Sequence, residues 1–287
     1  MKKIILLGLL VAIISCKKND NSSSNDGFSL GSVFEGKRVL EKELTKEGGL
    51  FYYDGKPFTG IGYKMYDEKR LQFETSYVEG KEEGVQKYWS RNGQLVEEFQ
   101  KKGERKDGMF TSWYENGQIK KEMTFKAGDV VGEVKRWHEN GQQWSVANYI
   151  EPDPQTSADL AEGFIHESKQ VGIYKEWFEN GQLYLECNYN NDGQLEGLLT
   201  KWFENGKIYE KTNFKKNKEI GVIQRWYDSG QIAYEKNTAN EFVKEWWQNG
   251  ILKAETIDIG KTIIRKNYSE RGIQDARVDT ISGYNSI

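Results

Sequence analysis

Glutamates that recur among aromatic rings are the residues of this sequence that come nearest to a catalytic pattern. Glu98, Glu122, Glu186 and Glu235 occupy one equivalent place in successive segments of similar sequence. A glycoside hydrolase needs two carboxyl groups in different environments, one kept protonated and one ionised. Carboxylates at equivalent places share one environment, so we interpret these glutamates as solvated partners of lysines on a neighbouring strand. The sequence therefore predicts no catalytic residue and no enzyme.

Thiol and imidazole groups are too few to build a metal centre. The chain has two cysteines, Cys16 and Cys187, and two histidines, His138 and His166. His138 and Cys187 each stand where other segments carry an aromatic or apolar residue, so we expect both to be packing residues. A structural zinc site takes about four thiolate or imidazole ligands. We therefore expect no metal and no cofactor.

Cys16 belongs to a separate pattern at the start of the chain. Two lysines precede an apolar run over residues 4–14, and Ser15 and Cys16 follow it. That run is shorter than the about 20 residues that span a bilayer, and it is typical of an export signal. The small residue before Cys16 resembles the lipobox of bacterial lipoproteins, which implies a lipid-modified Cys16. The alternative is an ordinary secretory peptide with a chance cysteine.

These features predict a short leader and a tether. We expect residues 1–15 to be the signal peptide and residues 16–27, which are polar after the cysteine, to be a lipidated flexible tether. Several buried acyl chains anchor a protein stably to one leaflet. The expected location is the bacterial cell envelope, at the outer membrane or the cell surface.

Glycines recur at a fixed spacing along most of the chain, and such periods of about 20 to 50 residues indicate a repeat architecture. The step is 24 residues for Gly60, Gly84, Gly108 and Gly132, and after a longer step the series resumes with Gly172, Gly197 and Gly221. With each glycine as position zero, position five is tryptophan at Trp89, Trp113, Trp137, Trp177, Trp202 and Trp226. In these six copies positions eight and nine are Asn-Gly, or Ser-Gly in the copy that begins at Gly221.

Each repeat predicts one β-hairpin. Asn-Gly between aromatic or β-branched runs favours a two-residue type I′ turn, in which both central residues have positive φ. A two-residue turn at positions eight and nine pairs positions whose numbers sum to 17. The predicted fold class is therefore all-β, an elongated array of tandem antiparallel β-hairpin repeats.

This register predicts two faces. Positions two, six, eleven and fifteen form an apolar face, on which the repeat glycine lies beneath an aromatic ring at position seventeen. The other face carries the tryptophans and cross-strand ion pairs between positions three and fourteen, such as Lys87 with Glu98 and Lys175 with Glu186. We expect residues 28–45 to be a lead-in. The repeat array then covers residues 46–287, with a loop insertion at 150–171 and a C-terminal cap.

The pattern G-x4-W-[YF]-x-N-G-[QK]-[LI] resembles the variant MORN repeat of bacterial proteins described as YwqK-like antitoxins. The resemblance covers about residues 46–275. It implies a sheet of hairpin repeats and no catalytic residue, because a shared fold does not carry a shared activity.

The six position-five tryptophans are the candidate binding residues. Flat rings on a sheet can stack on sugars or anchor a protein partner, or they can simply pack on one another. A net charge of −3 argues against nucleic acid as a partner. We therefore expect a membrane-anchored, repeat-based protein-binding or scaffolding module. The alternatives are a glycan-binding lipoprotein and an antitoxin or immunity protein that binds a toxin.

Overall fold

The computed structural model describes residues 36–152, 168–240, 242–258, 262–275 and 279–282. The predicted signal peptide, the tether with Cys16, and most of the predicted insertion with His166 lie outside these residues. The chain divides into residues 1–35 and a second unit, 36–287, to which all described residues belong. Among them, no helix has both the length and the apolar character needed to cross a membrane.

Strands dominate the second unit. One 3-10 helix, Glu41–Glu43, is followed by a small sheet of β2 (Thr45–Glu47), β3 (Leu50–Tyr53) and β4 (Lys56–Pro57). The main sheet has 19 strands in the described part of the chain. These are β1 (Lys37–Leu40), β5 (Gly60–Met65), β6 (Leu71–Val78), β7 (Lys81–Trp89), β8 (Leu95–Lys102), β9 (Arg105–Trp113), β10 (Ile119–Lys126), β11 (Asp129–Trp137), β12 (Gln143–Ile150), β13 (Lys169–Trp177), β14 (Leu183–Tyr189), β15 (Gly197–Trp202), β16 (Ile208–Lys215), β17 (Lys218–Trp226), β18 (Ile232–Asn237), β19 (Phe242–Trp246), β20 (Leu252–Asp258), β21 (Thr262–Asn267) and β22 (Asp279–Ser282).

The main sheet is a meander. From β5 to β22 each strand pairs antiparallel with the next strand of the chain. Only β1 departs from this order, because it pairs in parallel with β5. The predicted all-β array of tandem antiparallel hairpins is confirmed.

The start of the array differs from the prediction. Residues 45–57, most of which we assigned to the array, form the separate sheet of β2, β3 and β4. Val39, Phe58 and Tyr77 are buried together where this small sheet and β1 meet the first repeat. The repeat meander therefore begins at Gly60.

The predicted turn type is wrong. In the hairpin of β7 and β8, the Ser90 amide donates to Gln94 O at 2.9 Å and the Gly93 amide donates to Ser90 O at 3.0 Å. Gly93 has φ 90°, whereas Asn92 is not among the residues with positive φ. This is a three-residue loop in which a type I turn precedes a left-handed glycine.

The extra loop residue shifts the register next to the turn. Positions zero to four obey the predicted sum of 17, as in the pair of Lys87 with Glu98. Then Trp89 pairs with Leu95, so position five faces position eleven and position twelve is a β-bulge. Positions six and eleven therefore do not share a face of the sheet with positions two and fifteen, contrary to the prediction.

Type I′ turns occur at the opposite ends of the strands, where one repeat links to the next. Both central residues have positive φ in Glu79-Gly80, Ala127-Gly128 and Lys216-Asn217. These pairs join β6 to β7, β10 to β11 and β16 to β17. The predicted insertion leaves from this same link end, between Ile150 and Lys169, which pair with each other.

The repeat glycine marks a second bulge. Between β10 and β11, Glu122 pairs with Lys135 and Thr124 pairs with Val131. The three residues 132–134 therefore lie opposite Met123 alone. Gly132 has φ 72°, and a Cβ added there would meet nothing within 4 Å. The glycine does face Tyr149 in register, but the left-handed backbone, rather than an overlying ring, explains why glycine is needed.

Positions two and fifteen form the most buried row of the sheet, which confirms this part of the predicted apolar face. Val134 and Ala147 pair across β11 and β12 and are 1% and 0% exposed. Phe99, Phe110 and Met123 continue the row and form one cluster with Val134. Cys187 occupies position fifteen and is a buried free thiol, as its predicted packing role requires.

Replacing Gly172 tests the backbone role of the repeat glycine. Gly172 has φ 70° and open space at its Cβ position, so Gly172→Ala changes backbone strain without a clash. We expect Ala to lower the free energy of unfolding by about 1 to 2 kcal/mol. Gly172→Asn should lose less, since Asn tolerates the left-handed region. Urea unfolding measures both, and an Ala variant as stable as the parent would contradict this explanation.

Candidate binding surface

The position-five tryptophans pack within the sheet. Each pairs with position eleven of its own hairpin, which is leucine or isoleucine in five of the six repeats. The pairs are Trp89 with Leu95, Trp113 with Ile119, Trp137 with Gln143, Trp177 with Leu183, Trp202 with Ile208 and Trp226 with Ile232. All six tryptophans are partly buried. Their predicted role in binding stays a prediction, and Trp202 alone among them lines the groove described below.

Where the side chain at position six is tyrosine or histidine, it connects its repeat to the next. The Tyr114 hydroxyl donates to Trp137 O at 2.7 Å, and the Tyr227 hydroxyl donates to Trp246 O at 2.7 Å. His138 Nε2 lies 2.8 Å from Trp177 O. Because a carbonyl oxygen only accepts, Nε2 carries the proton there. His138 therefore replaces the tyrosine hydroxyl of other copies as well as its packing.

Asparagine at position eight makes two bonds. Asn140 Oδ1 accepts from the Gln142 amide at 2.9 Å, which holds the turn, and Asn140 Nδ2 donates to Glu179 O of the next repeat at 2.7 Å. Asn116 does the same with Gln118 and Glu139. The asparagine is therefore needed to join neighbouring turns, and not for the positive φ that the predicted turn required.

Aromatic pairs cover the turn ends of three consecutive repeats. The side chain at position six contacts the one at the bulged position twelve, with ring centroids 5.0–6.0 Å apart. We call these the central aromatic pairs: His138 with Trp144, Phe178 with Tyr184, and Phe203 with Tyr209. Trp144 is 43% exposed and Tyr209 is 36% exposed. Sequence reasoning missed position twelve because the predicted two-residue turn contained no bulge.

A groove runs between the second and third central aromatic pairs. It has a volume of about 460 Å³ and is open to solvent on one side. Its lining consists of Phe178, Tyr184, Trp202, Phe203, Glu204, Asn205, Tyr209 and Asp228. The floor is thus aromatic and the rim carries two carboxylates.

Carboxylates follow the central aromatic pairs along the turn ends. Position seven is acidic in five consecutive repeats, at Glu115, Glu139, Glu179, Glu204 and Asp228, and all five residues are exposed. Neighbouring repeats are two strands apart, which is about 10 Å. The turn ends therefore present a row of negative charges beside a row of rings.

Two other repeats place their own lysine over the ring at position six. Lys120 Nζ lies 5.4 Å from the centroid of Tyr114, and Lys253 Nζ lies 4.9 Å from the centroid of Trp247. Lys120 occupies position twelve, and Lys253 follows Trp247 by the same six residues. In the described residues, no lysine or arginine lies over a ring of the central aromatic pairs, where position twelve is itself aromatic. The central repeats thus lack the internal cation of these two copies, as does the copy that begins at Gly221, where position twelve is Ala233.

The recurring glutamates lie in ordinary cross-strand pairs. Lys87 Nζ is 3.2 Å from Glu98, and Lys175 Nζ is 2.9 Å from Glu186, as predicted. Burial raises the pKa of the Cys187 thiol to about 11, which keeps it protonated at neutral pH. Among the described residues, no group of three or more His, Cys, Asp or Glu side chains is arranged to hold a metal ion.

Comparison with known families identifies the repeat. Residues 82–100, 106–127, 130–151, 170–191 and 195–216 match the family model described as MORN repeat variant. Each matched segment begins two residues before a repeat glycine, so the family's repeat and the structural hairpin are one unit. The match supports a repeat-based binding or scaffolding module.

Similarity to other proteins is distant. The chain is similar to a chain in the Photorhabdus luminescens Tc holotoxin pore with the TccC3-D651A mutation, at 10% identity and a TM-score of 0.15. It is also similar to a chain in the crystal structure of TcdB2-TccC3, at 10% identity and a TM-score of 0.12. The two matches cover 70% of this chain but span 15% and 14% of those chains. No curated protein matches the sequence.

Replacing Ser229 tests the turn-to-turn bond. Ser229 keeps the local acceptor, because the Gln231 amide donates to Ser229 Oγ at 3.3 Å, but it has no amide to reach the next repeat. We expect Ser229→Asn to add that bond and raise the free energy of unfolding by about 0.5 to 1 kcal/mol. Ser229→Asp, which has the acceptor without the donor, is the control. Equal stability of the two variants in urea would refute the proposed bond.

Comparing Trp202 with Tyr209 separates structural rings from exposed ones. Trp202 is partly buried and packs across from Ile208, so Trp202→Ala should cost about 2 kcal/mol of unfolding free energy. Tyr209→Ser removes a ring at the surface and should cost about 0.5 kcal/mol. Thermal and urea unfolding of both variants measure the difference. A Trp202→Ala variant no less stable than Tyr209→Ser would contradict the structural role.

Proposed function

We propose that this chain is a non-enzymatic, lipid-anchored module that binds a protein partner through its central aromatic pairs. The partner presents lysine or arginine side chains, which insert beside the rings and face the carboxylates at position seven. The observation that carries the proposal is the contrast between repeats. In two other repeats the ring at position six is covered by the chain's own Lys120 or Lys253, whereas the exposed rings of the central aromatic pairs have no such cation among the described residues.

Physical chemistry favours a cation in the groove. A lysine or arginine within about 6 Å of an aromatic centroid gains about 0.5 to 2 kcal/mol, depending on its desolvation. Glu204 and Asp228 on the rim of the groove add an opposite charge. Exposed carboxylates also speed the approach of a basic partner and make association sensitive to salt. The surface therefore selects a partner by both shape and charge.

The repeat spacing favours a partner with several basic groups. Three central aromatic pairs follow one another along the sheet at steps of about 10 Å. Weak individual contacts on one rigid surface combine into tighter binding, since the second and third contacts form within one complex. A secreted toxin with a basic surface is one partner of this kind, and it would make the module an immunity protein.

Anchoring through Cys16 places this surface near a membrane. Residues 17–27, which are all polar or glycine, follow the proposed lipid attachment site. Membrane attachment also raises the local concentration of the module for partners at the same surface.

A glycan ligand is the second candidate. Trp144 exposes 43% of its surface beside His138, and a flat exposed ring can stack on a sugar. The acidic row disfavours anionic polysaccharides, so this ligand would be a neutral oligosaccharide. Such binding would not depend on salt, whereas binding of a basic protein would.

Affinity capture with two matched variants tests the binding surface. Tyr184→Ser with Tyr209→Ser removes two rings of the groove. Ile220→Ser with Val222→Ser removes two side chains that are each 41% exposed near the link end. After crosslinking in intact cells, we expect a basic protein to be captured by the parent and the control, and to be lost from the groove variant. Raised salt should weaken its capture by the purified protein.

Two outcomes would contradict the protein-partner proposal. One is capture that persists in the groove variant at the parent level, which would place the partner elsewhere. The other is tryptophan fluorescence quenched by neutral oligosaccharides in the parent but not in the groove variant, with no basic protein captured. Circular dichroism confirms that all variants remain folded.

Replacing Cys16 tests the anchor independently. We expect the parent protein to incorporate a labelled fatty acid and to sediment with membranes. Cys16→Ser should abolish the label and move the protein to the soluble fraction, because no other residue of the lipobox-like pattern can carry the acyl chains. A labelled Cys16→Ser variant would contradict lipidation at this residue, without bearing on the groove.

A further inference from the structure

We infer that the apolar face of the sheet carries a second site, which binds a small oxyanion between Lys121 and Arg136. The ligand class is a phosphate, sulfate or carboxylate group. This site lies in the row of positions four and thirteen, next to the buried row of positions two and fifteen. It is separate from the groove and does not depend on the function proposed above.

Four consecutive strands place the groups of this site side by side. Lys121 on β10 pairs with Ser112 on β9 and with Arg136 on β11, and Arg136 pairs with Ser145 on β12. Directly paired residues of an antiparallel sheet point to the same face. Across the four strands the row therefore carries a hydroxyl, an ammonium, a guanidinium and a hydroxyl group. Neighbouring strands are about 4.8 Å apart.

Two like charges stand directly opposite each other here. Like charges in this arrangement destabilise a sheet, yet neither Lys121 nor Arg136 forms an ion pair with a carboxylate of the described residues. Arg136 Nη1 reaches only Ser145 Oγ, at 3.4 Å. The sheet thus brings two cations together with no carboxylate of the described residues at ion-pair distance from either.

In later repeats the same row contains a carboxylate that pairs with two cations. Glu210 lies between Lys201 and Arg225, with Lys201 Nζ at 3.3 Å and Arg225 Nε at 2.7 Å. These residues occupy the equivalent positions four and thirteen of later repeats. A carboxylate between two cations is therefore an arrangement that this sheet accommodates, and an added oxyanion would reproduce it at Lys121 and Arg136.

A third cation increases the local positive charge. Lys106 Nζ lies over three rings of the apolar cluster, 4.2 Å from the centroid of Phe99, 4.6 Å from that of Phe110 and 5.3 Å from that of Phe125. Burial lowers the pKa of Lys106, and Glu97 partly opposes this. Burial also lowers the pKa of Lys121, Arg136 and Lys106 lower it further, and Glu97 partly opposes this.

Two nearly buried serines flank the cations. Ser112 is 8% exposed and Ser145 is 1% exposed, so the donors available to a ligand are those of Lys121 and Arg136. A guanidinium offers two parallel donors to an oxyanion, and the ammonium offers more. Beyond the serines, the row continues with Glu97 on one side and Glu176 on the other. These carboxylates would repel a longer polyanion, so the site fits one oxyanion group.

Calorimetric titration of the full chain with inorganic phosphate, sulfate and acetate tests the site. The three anions are compared with chloride at equal ionic strength. We expect saturable binding of at least one of them, weakened about tenfold or more in Arg136→Gln and in Lys121→Gln. The matched control is Lys135→Gln, one residue away in sequence but on the other face and paired with Glu133, and it should bind as the parent does.

Both site variants should remain folded, because each removes a repulsion, and their urea midpoints should equal or exceed that of the parent. Tighter phosphate and sulfate would identify a tetrahedral oxyanion, and tighter acetate would identify a carboxylate. Absence of saturable binding for all three anions would overturn the inference, as would equal binding in Arg136→Gln and the parent. None of these results bears on capture of a basic protein by the groove.

Discussion

The structure depends on how the chain turns at each Asn-Gly. A three-residue loop with a left-handed glycine needs one more residue on the returning strand, and position twelve supplies it as a bulge. Trp89 therefore faces Leu95 instead of position twelve. This single shift encloses the tryptophans against aliphatic partners and pushes position twelve outward to meet position six. The central aromatic pairs and the groove exist because of it.

A single hairpin of this kind has little stability of its own. Its polar groups bond to the next copy, as in the bonds from Tyr114 to Trp137 O and from Asn140 to Glu179 O. Stability is thus shared between neighbours, and the turn ends are held at fixed spacing by bonds that do not involve the rings at position twelve. A substitution at position twelve can therefore change what the surface binds without removing these bonds. Lysine there covers the ring at position six, whereas tyrosine or tryptophan leaves an aromatic pair open to a partner.

The sequence alone predicts much of the fold. The period of the glycines gave the repeat, its hairpins and the paired positions three and fourteen, and the buried row at two and fifteen followed from alternation. The turn type was not accessible, because Asn-Gly fits both a type I′ turn and a type I turn followed by a left-handed glycine. Choosing the first misplaced positions six and eleven and hid position twelve. Likewise, the pairing of Lys121 with Arg136 depends on a register between repeats that the bulge at Gly132 sets, and no local motif in the sequence signals that register.

Disulfide trapping in the hairpin of β7 and β8 tests the turn register most directly. Trp89 pairs with Leu95 in the structure, whereas a two-residue turn would place Trp89 opposite Val96. In a Cys16→Ser, Cys187→Ala background, the account predicts that Trp89→Cys with Leu95→Cys forms a disulfide under mild oxidation and that Trp89→Cys with Val96→Cys does not. Trapping of the second pair and not the first would contradict the bulged turn, and with it the placement of the aromatic pairs.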